Sequence, residues 1–294
     1  MTRYYCHEHP EVLTIETRVV DARPGAVLLE DTPFYPGGGG QLADHGRLSW
    51  TSGEVIVSGI DTSDGRVWHV LAEPVELSGV VQASVDPSFR DLMCQLHTDA
   101  HILNALVYQQ FRGALVTGAQ LNDDGTVRVD FDLPDADNDR LRALEPAMND
   151  AIRQDLPVRY AYLPAEECHP ESGLLRSRSV APPPAADGTI RIVEIVGLDR
   201  QGCGGTHLSS TGRSRPVRIL RSTTRDATTA ASASASRRQS EDKGPSASLA
   251  PSSAGSMYRK YASPAAFGRR LAAGPFSSLQ PGSSDRLGMR RSMR

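Results

Sequence analysis

Apolar residues in the first 85 positions recur in short runs that alternate with polar residues, the period of a half-buried β-strand. Turn residues separate the runs, as at Pro24-Gly25, Ser52-Gly53 and Asp64-Gly65. The predicted strands are residues 12–21, 26–30, 47–51, 54–60, 67–71 and 80–85. Short strands at this spacing are typical of a small antiparallel barrel, so residues 1–88 are predicted to form an N-terminal β-barrel domain.

The period of the apolar residues changes after this region. From residue 92 to 107 they recur every three or four positions, as on a helix with a buried face. Asp86 followed by Pro87 is typical of a helix N-terminus, so a helix is predicted from there to about residue 111. Strands are predicted at 115–121, 126–132, 158–163 and 189–195, and a second helix at 136–154 with a kink or break at Pro146. Residues 89–221 are thus predicted to form an α+β domain.

Two histidines lie four residues apart on the first predicted helix. His97 and His101 therefore share one face, one turn apart, where both imidazoles can reach a single ion. The sequence Cys203-Gly-Gly-Thr-His207 adds a thiolate and a third imidazole on a loop whose glycines permit tight turns. A His-x-x-x-His pair alone is a weak signal, but nitrogen and sulfur ligands together suit zinc better than calcium or magnesium. The sequence predicts a zinc centre with three histidines and one cysteine.

Two further groups of cysteine and histidine are less suited to a metal. Cys6, His7 and His9 lie within four residues, and Cys168 directly precedes His169. The members of each group are too close along the chain to converge on one ion. They are predicted to be surface or packing residues.

A glycine-rich loop interrupts the predicted barrel at residues 34–41, Phe-Tyr-Pro-Gly-Gly-Gly-Gly-Gln. One interpretation is a flexible turn. The other is a loop along which a ligand or another backbone passes closely, because four positions lack side chains while the aromatic pair and the proline fix the entry. Both interpretations stay open at the level of sequence.

Charge separates the chain into two parts. Residues 223–294 contain 12 of the 32 Lys/Arg and 4 of the 35 Asp/Glu, a net charge of +8, which leaves −11 for residues 1–222. An acidic body is a poor general binder of polyanions, so contact with nucleic acid must use a few placed basic side chains. From about residue 222 the chain is rich in Ser, Ala, Thr, Gly and Arg without periodicity. Residues 222–294 are therefore predicted to be a low-complexity, disordered tail.

The sequence also predicts the compartment. Four cysteines without regular spacing are typical of a reducing environment. The first residues lack the apolar stretch of a secretory leader, and no apolar run approaches the roughly 20 residues that span a bilayer. The protein is predicted to be cytoplasmic, without a membrane partner.

Four short motifs follow one another along the chain. They are Phe-Tyr-Pro-x-Gly-Gly-Gly-Gln at 34–41, His-Thr-x-x-His at 97–101, Val-Thr-Gly-x-Gln at 116–120 and Asp-x-Gln-x-Cys-Gly-Gly-Thr-His at 199–207. This set resembles the alanyl-tRNA editing proteins, the free-standing relatives of the editing domain of alanyl-tRNA synthetase. The resemblance covers approximately residues 1–221. The barrel and the glycine-rich loop are similar to the medium-length form of the family.

The resemblance implies a trans-editing hydrolase. Its partner would be the acceptor end of alanine tRNA, and its reaction would be hydrolysis of the ester to a wrong amino acid, chiefly serine and also glycine. The implied zinc ligands are His97, His101, Cys203 and His207, and no further catalytic residue is assigned. The implied substrate-binding residues are Thr98, Thr117, Gln41, Gly38, Gly39 and Gly40. Asp199 is either a hydrogen-bond partner of a ligand histidine or a plain loop residue.

Two other functions stay open. Four protein ligands fill a tetrahedral zinc, as is usual in structural sites, so the protein would then bind the tRNA acceptor end without catalysis. Alternatively, it is an unrelated zinc hydrolase of small esters or amides.

The tail has a second interpretation, a frameshift near Ser222. The family's editing domain ends with a strand that carries a Lys-Gly-x-x-Asn-x-Arg pattern, and the residues after Leu220 do not continue it. Such a pattern appears when codons are chosen for residues 222–233 and the frame is moved back by one base. This hypothesis predicts that the chain lacks a closing strand and leaves backbone groups near residues 217–220 unpaired.

Overall fold

The six strands of the N-terminal region close into an antiparallel barrel. In a computed structural model they are β1 Thr14–Arg23, β2 Ala26–Leu29, β3 Gly46–Trp50, β4 Gly53–Asp61, β5 Trp68–Leu71 and β6 Gly79–Val85. The order around the barrel is β1-β2-β5-β4-β3-β6, and β6 returns to β1 with Thr14 opposite Ser84. Alternate residues such as Leu48, Val57 and Val81 fill the interior. The predicted barrel is confirmed.

The structure describes residues 4–133, 138–169, 172–177, 182–224 and 231–237. The chain divides into two compact units, Met1–Glu241 and Asp242–Arg294, and every described residue lies in the first. Among these residues, no helix has both the length and the apolar character needed to cross a membrane.

The helix that carries the paired histidines is α2, Pro87–Gln110, which follows a single short helix α1, Tyr5–Glu8. The Asp86 carboxylate accepts hydrogen bonds from the backbone N–H groups of Ser88 at 2.8 Å and Phe89 at 3.1 Å. Pro87 takes the first helical position, where a missing N–H costs nothing. Residues 93–107 are all buried, so the histidine face of α2 lies inside the protein. The predicted helix and its cap are confirmed.

The remaining elements form two small sheets and two helices around α2. They are β7 Val116–Leu121, β8 Val127–Phe131, α3 Asn138–Arg142, α4 Glu145–Arg153, β9 Val158–Pro164, β10 Thr189–Ile195, β11 Asp199–Gly202, β12 Val217–Thr224 and β13 Ala231–Arg237. One sheet has the order β11-β10-β9 and the other β12-β13-β8-β7. The proposed domain boundary at residue 88 falls in the first turn of α2. The predicted α+β content is confirmed.

One predicted helix is two helices in the structure. The pattern at 136–154 is interrupted between α3 and α4, and Pro146 lies in the first turn of α4. Proline is tolerated there because the first N–H groups of a helix have no partner within it. The sequence predicted either a kink or a break at Pro146. The structure has a break, which lies two to three residues before Pro146.

The prediction of unpaired backbone near residues 217–220 is wrong. Strand β12 pairs antiparallel with β13, with Val217 opposite Arg237 and Ile219 opposite Ala235. The pairing uses backbone groups, and the run 231–236 contains only alanine and serine, so no proline removes a donor. Residues 222–224 and 231–237 are thus strand rather than disordered tail. The predicted disorder of residues 238–294 lies outside the described residues, and the frameshift near Ser222 stays a hypothesis about the gene.

Candidate metal centre and its cavity

Helix α2 and the loop after β11 bring the four predicted ligands together. The ligand atoms of His97, His101, Cys203 and His207 all lie within 4.8 Å of one another. Cys203 Sγ is 3.3 Å from Nε2 of His97 and 3.3 Å from Nε2 of His207. The antiparallel pairing of β10 with β11 delivers the cysteine loop to the helix face, although the two half-sites are about a hundred residues apart. Zinc binding itself stays a prediction.

The outer nitrogen of each imidazole, Nδ1, lies within hydrogen-bond distance of a side-chain oxygen. The pairs are His97 with Gln41 Oε1 at 2.8 Å, His101 with Asp199 Oδ2 at 3.1 Å and His207 with Thr98 Oγ1 at 3.5 Å. An acceptor at Nδ1 holds the proton there and leaves the Nε2 lone pair for a metal. Three such nitrogens beside one thiolate are the donor set and number that a tetrahedral zinc requires. The residues present therefore fit zinc.

The ionisation of the cluster is set by burial and by the neighbouring charges. Burial opposes a charge on Cys203, but the three surrounding imidazoles outweigh it and hold the pKa of the thiol well below its usual value. Burial, together with the like charge of the neighbouring imidazoles, holds the pKa of His207 well below its usual value. For His101, burial is outweighed by the Cys203 thiolate and the Asp199 carboxylate, which raise its pKa to about 10. Metal uptake would displace that proton, so metal affinity rises with pH.

Asp199 is the hydrogen-bond partner of a ligand histidine, and the plain-loop interpretation is wrong. Its carboxylate is buried at 4% exposure. Besides the His101 contact, Oδ1 accepts from Arg176 Nη1 at 2.8 Å and Oδ2 from Gln201 Nε2 at 2.7 Å. These donors balance the buried charge and fix the carboxylate against the His101 ring.

Gln41 lies behind the candidate ligand His97. Its Oε1 accepts from His97 Nδ1 and from the backbone N–H of Thr206 at 3.0 Å, while its Nε2 donates to Thr206 Oγ1 at 2.8 Å. The side chain is buried at 3% exposure. These contacts join the glycine-rich loop of the barrel to both halves of the metal centre. The position gives Gln41 a role in holding His97, and contact of Gln41 with substrate stays a prediction.

Replacing Gln41 with alanine is expected to lower zinc affinity by about 10- to 100-fold, because the orienting acceptor of a ligand histidine is lost. Competition with a chelator of known affinity measures this change. Gln41→Glu keeps an acceptor for Nδ1 and is expected to retain more of the affinity. Equal affinity of wild type and Gln41→Ala would remove Gln41 from the metal centre.

The glycine-rich loop makes one close backbone contact. The carbonyl of Gly40 accepts from Leu121 N at 2.8 Å, and a Cβ at Gly40 would lie 2.4 Å from the carbonyl oxygen of Ala119. A side chain is therefore excluded where the loop meets β7. Gly38 and Gly39 line a cavity, with φ of 119° and 61°. The interpretation that another backbone passes closely along the loop is therefore correct at Gly40. Contact of a ligand with Gly38 and Gly39 stays a prediction.

The two predicted threonines lie in different surroundings. Thr98 is fully buried, and its hydroxyl donates to the carbonyl of Cys94 at 2.8 Å and accepts from Leu208 N at 3.1 Å. These bonds give Thr98 a positioning role between α2 and the loop after His207. Thr117 lies half-buried on β7, between residues that line the cavity. Contact of either threonine with substrate stays a prediction.

A cavity of about 350 Å³ opens beside the ligand cluster. Its wall includes His97, His101 and Cys203, the loop glycines, and apolar residues of β7 and β8. Two further wall residues, His7 and Arg191, were not expected from the sequence. The volume is within the range of small-molecule sites.

His7 was predicted to be a surface or packing residue, and it lines the cavity instead. Its Nε2 donates to the carbonyl of Gly204 at 2.8 Å, next to ligand Cys203. Burial, with the positive charge of Arg191, lowers its pKa to about 4, so the ring is neutral near pH 7. The other members of the two groups behave as predicted. Cys6 and Cys168 are buried, and His9 and His169 are exposed.

Arg191 holds the cysteine loop. Its Nη1 donates to the carbonyls of Cys203 and Gly205, both at 3.0 Å. The sequence contained a signal for this role, because Arg191 lies between Ile190 and Ile192 in a predicted strand. In the structure Arg191 is buried, and a buried charge requires fixed partners.

A closed barrel joined to an α+β region, with three histidines and one cysteine brought together beside a cavity, defines a protein with a candidate zinc site. Comparison with known proteins gives the family. Residues 190–241 match the domain described as "Threonyl and Alanyl tRNA synthetase second additional domain". This match runs through both β12 and β13.

Relatives that match about three quarters of the chain agree with that domain match. The chain is 32% identical to the alanyl-tRNA editing protein AlaX-M of Saccharolobus solfataricus, over 70% of this chain and 86% of the relative. It is also 32% identical to the alanine–tRNA ligase of Korarchaeum cryptofilum and 33% to that of Pyrococcus abyssi, over 75% of this chain in each case. The chain spans only about a quarter of the length of these ligases, 24%. The chain belongs to the family of alanyl-tRNA editing proteins.

Proposed function

We propose that the protein is a hydrolase that removes a wrong amino acid, chiefly serine and also glycine, from the acceptor end of alanine tRNA. Family membership supports alanyl-tRNA editing. The observation that carries the chemistry is the convergence of His97, His101, Cys203 and His207 beside a cavity whose wall includes the first three. These residues would hold zinc, and bound zinc supplies a Lewis acid for an ester carbonyl.

The residues around the cluster support a substrate site. Gln41, Thr98 and Asp199 fix the three ligand imidazoles, so the ligand geometry is set before substrate arrives. Apolar residues of β7 and β8 line the same cavity, and their side chains offer no hydrogen bonds to water there. Gly38 and Gly39, without side chains, leave room for the end of a nucleic acid to approach.

The partner follows from the same proposal. The tRNA would contact an acidic body of net charge −11 through individual basic side chains rather than through a broad basic surface. Residues 1–88 are proposed as the barrel domain and 89–221 as the zinc-dependent editing domain, to which β13 adds residues 231–237. The protein would act in the cytoplasm, where charged tRNA is used.

A deacylation assay tests the proposal. Purified protein is incubated with alanine tRNA charged with serine, glycine or alanine, with and without a zinc chelator. Release of serine and glycine, retention of alanine, and loss of activity on chelation are expected. Binding of the tRNA without release of the amino acid would identify a module that only binds the acceptor end. Cleavage of small esters at the same rate as charged tRNA would identify a hydrolase of another kind.

A further inference from the structure

One buried amide in the cavity wall has an unused acceptor. Asn104 lies one turn beyond His101 on α2, and both residues line the cavity. The side chain of Asn104 is only 4% exposed. Its Oδ1 is buried and accepts no hydrogen bond from any residue that the structure describes. An acceptor buried in this way is unfavourable until a donor reaches it.

The hydrogen bonds around Asn104 determine which atom of its amide is left without a partner. Asp199 is an acceptor only, so Gln201 must turn its Nε2 toward Asp199, at 2.7 Å. Gln201 Oε1 is then the acceptor on its other side, and it receives Asn104 Nδ2 at 3.0 Å. The amide of Asn104 is thereby fixed with Oδ1 pointing away from Gln201. The same carboxylate orients His101, so one network holds a metal ligand and the acceptor together.

The surroundings of Oδ1 select a neutral donor. Ala100, Val116, Leu121 and Val129 line the same cavity, and Arg191 is a charged residue of its wall. No Asp or Glu is among the described residues that line it. A cation such as an α-ammonium group would lack a counter-charge beside Asn104, whereas a hydroxyl would replace a missing hydrogen bond at no charge cost.

We propose that Asn104 is a specificity-determining residue that accepts a hydrogen bond from the side-chain hydroxyl of the seryl group. This inference rests on the proposed editing function and names the group that recognises its substrate. Alanine and glycine lack the hydroxyl and leave Oδ1 unpaired in a buried site. A site built around a hydrogen bond discriminates strongly against analogues that cannot make it. Thr98 does not offer the same free acceptor, because its hydroxyl is engaged by two backbone groups.

The test compares Asn104→Leu and Asn104→Ala with wild type. The leucine variant keeps the volume of the amide and removes the acceptor. Gln95→Leu is the matched control, because Gln95 is also a buried α2 amide with an unpartnered oxygen among the described residues, and it does not line the cavity. Zinc content and melting temperature are measured for all variants. If the Asn104→Leu variant does not fold, the Asn104→Ala variant still tests the proposal.

The expected result is a change in preference. The kcat/KM for seryl-charged alanine tRNA falls by about tenfold or more in both Asn104 variants, as for a lost buried hydrogen bond, and the value for the glycyl ester changes by about twofold or less. Gln95→Leu retains the wild-type ratio of serine to glycine. An unchanged ratio in the Asn104 variants overturns the proposal. An equal fall for both esters also overturns it, since Asn104 would then contact a part that both substrates share.

A binding measurement separates this proposal from the proposed function. Calorimetry with 3′-seryl and 3′-glycyl amides of 3′-amino-3′-deoxyadenosine, which are not esters, reports recognition without hydrolysis. Tighter binding of the seryl amide to wild type, lost in Asn104→Leu, supports the role of Asn104 even if the protein releases no amino acid from tRNA. Hydrolysis of seryl-tRNA together with equal binding of both amides would overturn the role of Asn104 and leave the proposed function standing.

Discussion

Cys203→Ala is expected to remove most of the bound zinc and to lower seryl-tRNA deacylation by about two to three orders of magnitude, the effect of losing several kcal/mol of metal assistance. Cys203 is the only sulfur ligand of the cluster, and its thiolate is the negative charge that the imidazoles surround. Its loss leaves three neutral nitrogen ligands in a buried site. Metal analysis of the purified variant and a single-turnover deacylation assay measure the two effects.

Cys168→Ala is the control for this substitution. Cys168 is buried like Cys203, at 4% against 7% exposure, and packs in a separate cluster with Leu174 and Ile190. The control removes a buried thiol without touching the metal centre, so full zinc content and activity are expected. Full zinc occupancy in Cys203→Ala would show that the metal, if present, lies elsewhere.

Gly205→Ala is expected to damage the metal centre by sterics alone. A Cβ at Gly205 would lie 2.0 Å from Cε1 and 2.2 Å from Nδ1 of His97, and 2.9 Å from Gln41 Oε1. Such contacts require the ring to move, although Gln41 and the helix hold it in place. Zinc affinity and deacylation are each expected to fall by about 10- to 100-fold, as when the support of a ligand is lost. Chelator competition and the deacylation assay report both.

The neighbouring glycine supplies the control for Gly205. A Cβ at Gly204 meets nothing closer than Pro182, at 3.8 Å, which is ordinary contact. Neither glycine has a left-handed backbone, so neither alanine substitution carries the strain of that conformation. Gly204→Ala is expected to retain zinc. Equal behaviour of the two alanine variants would show that the loop is free to adapt and that the packing against His97 is unimportant.

The sequence predicted the barrel, helix α2 and the ligand set because each has a local signal. Alternation at Leu48 and Val57 marks strands, Asp86-Pro87 marks a helix start, and the spacing of His97 and His101 is itself the geometry of one helix turn. A local pattern is sufficient where the physical cause is local.

The supporting residues of the site had no such signal. Gln41 meets His97 across 56 positions and His101 meets Asp199 across 98, so these pairs exist only once the barrel, the helix and β11 are assembled. His7 lies in a short N-terminal helix whose place at the cavity depends on a contact with Gly204, 197 residues away. The composition of the tail wrongly predicted disorder at residues 231–237. These residues pair through backbone groups, which makes few demands on the side chains.

Strand β13 has a consequence for how the protein is made. It pairs with β8 on one side and β12 on the other, and both neighbours precede it in the chain. Until the ribosome has released residues 231–237, β8 and β12 each present an edge of unpaired N–H and C=O groups. Such open edges are templates for pairing between chains, so the nascent protein passes through an aggregation-prone interval that ends when β13 arrives.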